Sequence, residues 1–135
     1  MSSAFGIPNA TRRMTMPKER FVIDGRPRGD IAVQHTTITS STSETTIVTA
    51  VASTYLDLYG LVIANTSASA CNVTIKDATA GTTRAVFAVP AGETRGFTLP
   101  AESAIQQAAA NSNWTATCSA SVISISISAL YVKNT

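Results

Sequence analysis

The histidine at position 35 is the first residue of this chain that could do chemistry. His35 lies in a threonine-rich stretch and is the only histidine in the sequence. A hydrolytic site would need a nucleophile beside the imidazole and an acidic group to orient it, and no spacing in the sequence joins such residues to His35. The acidic residues are scattered and suggest no carboxylate pair. We therefore expect His35 to be structural and the protein not to be an enzyme.

Motifs that bind phosphates, metals or cofactors are absent from the sequence. It has no Gly-x-Ser-x-Gly, no glycine-rich phosphate loop and no His/Cys cluster, so we expect no cofactor and no metal site. Cys71 and Cys118 lie in strand-like segments, where cysteine commonly acts as a small buried hydrophobe. They could pair, but free thiols are favoured because disulfides are rare in the cytoplasm.

Basic residues are concentrated near the N-terminus. Residues 1–30 carry six basic and three acidic residues, a net charge of +3, whereas residues 31–135 carry four and five, a net charge of −1. The basic group could contact nucleic acid phosphates. It is interleaved with acids, however, and only Phe21 offers an aromatic platform. We expect no specific nucleic-acid binding, and contact with an acidic protein surface is at least as consistent with the pattern.

The first thirty residues lack both helical and strand periodicity. Pro8, Pro17 and Pro27 interrupt regular structure, and Arg28-Gly29-Asp30 is interpreted as a turn rather than an adhesion motif. Isolated apolar groups are more frequent than a purely disordered tail would carry. We predict an extended arm, residues 1–30, that orders when laid across another surface; a frayed terminus is the alternative. The expected anchors of the arm are Phe5, Ile7, Arg12, Arg13, Phe21, Val22 and Ile23.

Residues 31–135 carry a period of two, which is typical of β-strands. The clearest case is the last stretch, where isoleucines alternate with serines between Ser121 and Val132. Residues 101–110 are ambiguous, because their alanines and glutamines favour helix while both neighbours are strand-like; we expect an extended segment. Strands are predicted at 31–39, 45–52, 54–64, 71–76, 82–89, 94–99, 114–118 and 121–132.

These strands recur every 8 to 12 residues or so, which predicts a sandwich or barrel. Charged residues make up 13% of the chain, well below the roughly 25% of ordinary domains, and serine and threonine take their place. We predict an all-β fold: one domain, residues 31–135, built as an antiparallel sandwich of about eight strands, jelly-roll-like, preceded by the extended N-terminal arm.

The two sides of the last predicted strand differ in character. Its isoleucines should close the core beside the strand at 54–64. Ser124, Ser126 and Ser128 lie on the opposite side, and they lack the Lys or Glu that discourages association of exposed sheets. We expect this serine row to lie against another chain or a second sheet.

Membrane and secretion signals are also missing. No apolar run approaches the roughly 20 residues of a membrane span, and the N-terminus lacks the layout of a signal peptide. We expect a protein that is made in the cytoplasm and does not enter a membrane.

The order of segments resembles that of small accessory proteins of tailed-phage virions, especially capsid cement or decoration proteins. A proline-punctuated arm precedes a Ser/Thr/Ala-rich β domain, and the likeness spans about residues 45–132. The segments that carry it are Thr45-Thr-Ile-Val-Thr-Ala, Leu58-Tyr-Gly-Leu-Val-Ile-Ala-Asn65, Val89-Pro-Ala-Gly-Glu, Phe97-Thr-Leu-Pro100, Asn113-Trp-Thr-Ala-Thr and Ser126-Ile-Ser-Ala-Leu-Tyr-Val132.

The resemblance implies a virion structural protein that stabilises the phage head by bridging capsid subunits. Such proteins typically sit as trimers over junctions of the major capsid protein, with arms reaching to neighbours, so the resemblance implies location in the virion and a homotrimer. The alternative is a tail, neck or fibre module that binds a neighbouring virion protein or a host surface receptor. A glycan-binding version would use Tyr55, Tyr59 or Trp114.

Overall fold

The computed structural model describes residues 30–121 and 123–135, and within them the chain forms β-strands and one short 3-10 turn at Ala101–Ser103. No helix in this part of the chain is long and apolar enough to cross a membrane. The strands are β1 (Asp30–Thr39), β2 (Thr45–Val48), β3 (Tyr55–Asn65), β4 (Cys71–Lys76), β5 (Thr83–Val89), β6 (Thr94–Thr98), β7 (Trp114–Cys118) and β8 (Ser124–Asn134).

The strands form two four-stranded antiparallel sheets that pack as a sandwich. The first sheet has the order β1-β8-β3-β6 and the second the order β2-β7-β4-β5. Apart from the β4–β5 hairpin, each connection between successive strands passes from one sheet to the other. This is the strand order of an eight-stranded jelly roll, and the predicted all-β sandwich is confirmed.

The core lies between the sheets and consists mainly of aliphatic side chains from alternate strand positions. Trp114 is its largest fully buried residue, and the indole Nε1–H donates to the carbonyl oxygen of Leu56 in the opposite sheet. Phe87 of β5 and Phe97 of β6 stack with ring centroids 6.1 Å apart and join the two sheets at their far edge. Aromatic contacts thus tie the sheets together at two places.

Strand β8 occupies an interior position in the first sheet, between β1 and β3. Ile125 and Ile127 are fully buried on its core side, and β8 pairs with β3 from Asn134 to Ile125. The prediction that the isoleucine row closes the core beside the strand at 54–64 is therefore confirmed. The strand begins at Ser124 and continues to Asn134, two residues beyond the predicted end.

The predicted strand 45–52 is longer than the strand that forms. It ends at Val48, because side chains take over the next backbone donors: Gln34 Oε1 accepts from Thr49 N–H at 3.0 Å, and Asn113 Oδ1 accepts from Ala50 N–H at 2.7 Å. These bonds lead the chain out of the ladder towards β3.

Residues 101–110 form neither the expected extended segment nor a helix. After the 3-10 turn, Ile105 makes one antiparallel bridge with Leu58, and the chain then continues through bends. Pro100 ends β6, and hydrogen bonds to β3 and to two loops draw the side chain of Gln107 into the interior. These tertiary contacts outweigh the local helix preference of alanine and glutamine.

Candidate interaction surface

The predicted arm anchors all lie outside the residues that the structure describes. The first described strand begins at Asp30, next to the predicted boundary between arm and domain. The anchors concerned are Phe5, Ile7, Arg12, Arg13, Phe21, Val22 and Ile23, and their role in binding stays a prediction.

The described residues present one broad surface, which we call the outer face: the side of the first sheet that points away from the second sheet. Cross-strand partners share a side of a sheet, so the register assigns its members. Ser128, for example, pairs with His35 of β1 and with Val62 of β3. The outer face comprises Ile31, Val33, His35, Thr37 and Thr39 of β1, Ser124, Ser126, Ser128 and Leu130 of β8, Val62 and Ala64 of β3, and Thr94, Gly96 and Thr98 of β6.

His35 lies among hydroxyl groups on this face. Its Nδ1 is 3.3 Å from Ser128 Oγ, and its Nε2 is 3.4 Å from Ser126 Oγ and 3.5 Å from Thr37 Oγ1. Among the described residues no carboxylate contacts the ring, so the acid of a catalytic triad is missing from this group. The arrangement is a polar patch of small hydroxyls around an exposed imidazole.

Apolar side chains are interspersed with the hydroxyls. Val33 is 61% exposed, Ile31 49% and Val62 45%, and Leu130 is half-buried next to Val33. Large apolar residues exposed together on one face commonly mark an interaction surface. The exposed part of the outer face carries no Lys, Arg, Asp or Glu, because its members are hydroxyl, aliphatic, glycine and histidine residues. Asp57 lies on the same side of the sheet but is fully buried.

The structure removes one of the two partners expected for the serine row of β8. The second sheet packs against the isoleucine side of β8, so the alternative that it covers Ser124, Ser126 and Ser128 is wrong. These serines are half-buried by their neighbours within the sheet. Contact of this row with another chain stays a prediction.

One end of the outer face is covered by the chain that links β6 to β7. Ala101 and Ala104 pack on Val132 and on the half-buried Tyr59. We call this region the covered end; it encloses the fully buried side chains of Asp57, Gln107 and Asn134. Burial of such polar groups is tolerated only when they are hydrogen-bonded.

Gln107 is at the centre of these hydrogen bonds. Its Oε1 accepts from Leu56 N–H at 2.8 Å, and its Nε2–H groups donate to Asp77 O at 3.1 Å and Ser112 O at 2.8 Å. A single side chain thus joins β3 to the loops that follow β4 and precede β7.

Asp57 completes the covered end. Its Oδ1 accepts from the backbone N–H of Gln107 at 2.9 Å, and its Oδ2 accepts from Asn134 Nδ2 at 2.7 Å. Asn134 Oδ1 is buried and has no hydrogen-bond partner within the described residues. The side chain of the last strand residue is therefore held to β3 through its amide nitrogen alone.

Outside the outer face, the charged side chains of Arg84 and Glu44 hold loops in place through hydrogen bonds. Arg84 Nη1–H donates to Asp77 Oδ2 at 2.8 Å and to the Gln106 carbonyl at 3.1 Å. The Glu44 carboxylate accepts from Thr115 Oγ1 at 2.6 Å and from Ala80 N–H at 2.9 Å. The Thr115 hydroxyl, followed by the Ala80 amide, holds the pKa of Glu44 below its ordinary value of 4.5.

Both cysteines are free and buried, as the sequence predicted. Cys71 and Cys118 lie on the adjacent strands β4 and β7, and Cys118 pairs directly with Val73. Burial raises the pKa of Cys118 to about 12, and the neighbouring Cys71 adds to the effect. The Cys118 thiol is therefore protonated at neutral pH and unreactive towards electrophiles.

The structure also places the aromatic residues considered for glycan binding. Trp114 is fully buried and hydrogen-bonded inside the core, so its ring cannot stack on a sugar. Tyr55 and Tyr59 are half-buried on β3. The three rings share no exposed platform.

The residues that define the outer face were largely missed as functional candidates. Ile31, Val33 and Val62 look like ordinary strand residues in the sequence. The available signal was the absence of any charge from Ile31 to Thr39, which is unusual for a strand whose odd positions are exposed.

Within residues 30–121 and 123–135 no group of three or more His, Cys, Asp or Glu side chains is placed to hold a metal ion. Comparison with known proteins gives no identity: no family model matches the chain, and no curated protein or solved structure matches it significantly. What the described residues define is a jelly-roll domain whose outer face is uncharged where it is exposed, and partly apolar.

Proposed function

We propose that this protein is a structural component of a phage virion, of the cement or decoration type, which stabilises the head by bridging subunits of the major capsid protein. The observation that carries the proposal is the outer face, which is broad, free of exposed charged side chains and partly apolar. It lies on the sheet whose first strand, β1, is directly preceded by the basic arm segment.

The two parts suit a bridging role in different ways. A rigid sandwich supplies a preformed surface, which loses little conformational entropy when it binds a capsid subunit. A segment of about 29 residues can reach up to about 100 Å when fully extended, and one that orders on binding can wrap a large area. Together they would join two capsid subunits that neither part spans alone.

Low surface charge also fits a protein that works at high local concentration on a shell. Hydroxyl-bearing faces desolvate at lower cost than charged ones. Because the outer face has no Lys or Glu guards, it is suited to lie against protein rather than water.

The test is binding of purified protein to empty capsids of the virus that encodes it, measured by co-sedimentation. Removal of residues 2–29 should leave the thermal unfolding of the domain unchanged and abolish binding. Undiminished capsid binding by the shortened chain would contradict the proposed bridging mechanism.

A pair of matched variants then separates apolar anchoring from charge. Replacing Phe21, Val22 and Ile23 with serine should weaken capsid binding at all salt concentrations. Replacing Arg12 and Arg13 with serine should weaken it mainly at low salt, where exposed charges are least screened. Equal salt dependence of both variants would mean that the anchors do not act as proposed.

A further inference from the structure

Among the described residues, the open edge of β1 is the feature best suited to bind a partner strand. Ser40 N–H donates to the Ile123 carbonyl at 2.9 Å, one step beyond the last paired residues, Thr39 and Ser124. Hydrogen-bonded and non-bonded pairs alternate in an antiparallel ladder. The residues of β1 whose backbone groups bond to β8 are therefore the even-numbered ones, Ala32, Gln34, Thr36 and Ile38.

The odd-numbered residues have the opposite backbone orientation. Their N–H and C=O groups point away from β8, towards the open edge of the sheet, while their side chains lie on the outer face. These residues are Ile31, Val33, His35, Thr37 and Thr39.

The other sheet edges are short, irregular or charged, as natural edges usually are. Strand β6 has five residues, among them Arg95, and β2 has four with a register shift at Thr46/Val48. Strand β5 contains Arg84, and its pairing with β4 shifts in register. By contrast, β1 pairs through ten residues without a shift, and its only charged residue is Asp30 at one end.

We propose that a second copy of this chain occupies this edge, with the two β1 strands antiparallel and His35 opposite His35. In this register Ile31 faces Thr39 and Val33 faces Thr37, each pair occurring twice about a two-fold axis. All outward-pointing backbone groups of β1 are then used, in about ten hydrogen bonds. A shift by two residues in either direction loses one hydrogen-bonded pair.

Side chains and charges agree with this self-pairing. Every contacting pair is odd with odd, so all side chains stay on the outer face, and the exposed Ile31 and Val33 gain β-branched cross-strand neighbours. The Asp30 carboxylates lie at opposite ends of the joint, and so do the points where residues 1–29 are attached. No Lys, Arg, Asp or Glu side chains meet at the two-fold axis.

The result is a two-fold dimer with one continuous eight-stranded sheet and a doubled outer face. The trimer implied by the resemblance is not what this edge favours. A trimer would need β1 to pair with a different edge of its neighbour, and β6 offers half the length. The pairing does not rest on the proposed virion role, because it is measured on the isolated protein.

Sedimentation velocity between about 1 and 100 μM tests the pairing. The wild-type chain should form dimers, and His35→Lys, which places two ammonium groups at the axis, should weaken association at least tenfold. Thr37→Pro should also weaken association, because it removes a backbone N–H that points to the open edge and is not hydrogen-bonded to β8. The matched control is Val62→Lys, which alters the outer face away from the edge and should remain dimeric.

Cross-linking tests the register. Opposite hydrogen-bonded residues have Cα atoms about 5.5 Å apart, within the range of a disulfide, so His35→Cys should form a covalent dimer on mild oxidation. Val33→Cys should not, because the two Val33 positions are separated by about 13 Å along the strands. Wild-type protein, with both thiols buried, is the control.

Amide hydrogen exchange distinguishes other occupants of the edge. The amides of Val33, His35 and Thr37 should be protected at high protein concentration and exchange freely on dilution. The proposal is overturned if the protein is a monomer at 100 μM or a trimer, or if both cysteine variants cross-link equally. It is also overturned if the β1 amides stay protected in a monomer, because that result would place the chain's own first 29 residues on β1.

Discussion

The two ends of the outer face belong to the same strands, yet the described residues cover one end and leave the other exposed. At the covered end, Asp57 and Asn134 are fully buried beneath the segment that contains Gln107. Around His35, Ser126 and Ser128, the same sheet is open. The described residues therefore enclose polar groups where they supply several hydrogen bonds to them, and they leave uncovered the part where hydroxyls can exchange partners freely.

This contrast has an energetic consequence. A buried donor or acceptor that loses its partner costs about 1–3 kcal/mol, whereas an exposed group turns to water at little cost. Substitutions should therefore reduce the free energy of unfolding strongly at the covered end and weakly at the open end.

The largest effect is expected for Gln107→Ala. The substitution leaves the Leu56 amide and the carbonyls of Asp77 and Ser112 without their partner, so the free energy of unfolding should fall by about 2–4 kcal/mol. Denaturant unfolding followed by the fluorescence of Trp114 measures it. Gln106→Ala is the matched control, because Gln106 accepts a hydrogen bond from Arg84 through its backbone carbonyl, which the substitution keeps. Equal losses of unfolding free energy in the two variants would refute the central role of Gln107.

A smaller loss is expected for Asn134→Ala. It removes the donor to Asp57 Oδ2 but also removes the Asn134 Oδ1 atom, which lacks a partner among the described residues. The two effects partly offset each other, so we expect about 1–2 kcal/mol. Denaturant unfolding of the variant is compared with that of Thr135→Ala, the exposed neighbour. A loss as large as that of Gln107→Ala would mean that the two positions contribute equally to the covered end.

Glu44 provides an intermediate case, a carboxylate held by hydrogen bonds outside the covered end. Its pKa is lowered in the folded state, so its contribution to stability is present above pH 4.5, the ordinary value, and is lost as pH falls through the folded pKa. Glu44→Gln should cost about 1 kcal/mol at pH 7 and less as the pH is lowered to about 3. Thermal unfolding at several pH values measures this; a constant difference between variant and wild type would contradict it.

The smallest effect is expected at the open end. Ser126→Ala together with Ser128→Ala removes two hydroxyls near His35, and the imidazole can bond to water instead. The free energy of unfolding should change by less than about 0.5 kcal/mol. A loss above about 1 kcal/mol in the same assay would show that the hydroxyl patch is a structural network and that the two ends are alike.

Local patterns predicted the strands well where alternation was clean. Cys71–Lys76 and Trp114–Cys118 begin and end at the predicted residues, because a half-buried strand shows its two sides in its sequence. The prediction was wrong for residues 101–110, where long-range bonds of Gln107 decide the conformation. The hydrogen bonds of the Gln107 side chain to residues 56 and 77 cannot be recognised from the sequence around residue 107.

The candidate surface was less predictable than the strands. His35 contacts Ser126 and Ser128, which are 91 and 93 residues away in the chain. Whether Val33 lies at an edge or in the middle of a sheet depends on strand order, and alternation looks the same in both cases. Sequence predicted an unguarded serine row on β8, but the open edge is the neighbouring β1.

The interior position of β8 has a consequence for synthesis of the protein. Strand β8 separates β1 from β3, so the first sheet cannot be completed while residues 124–134 are still inside the ribosome. Contacts between residues that are far apart in the sequence, such as those of β1 with β8, also slow folding. Until β8 has emerged, β1 has no partner strand in this sheet and β3 has only β6. A nascent chain stalled before Ser124 would depend on chaperones to keep it from associating with other chains.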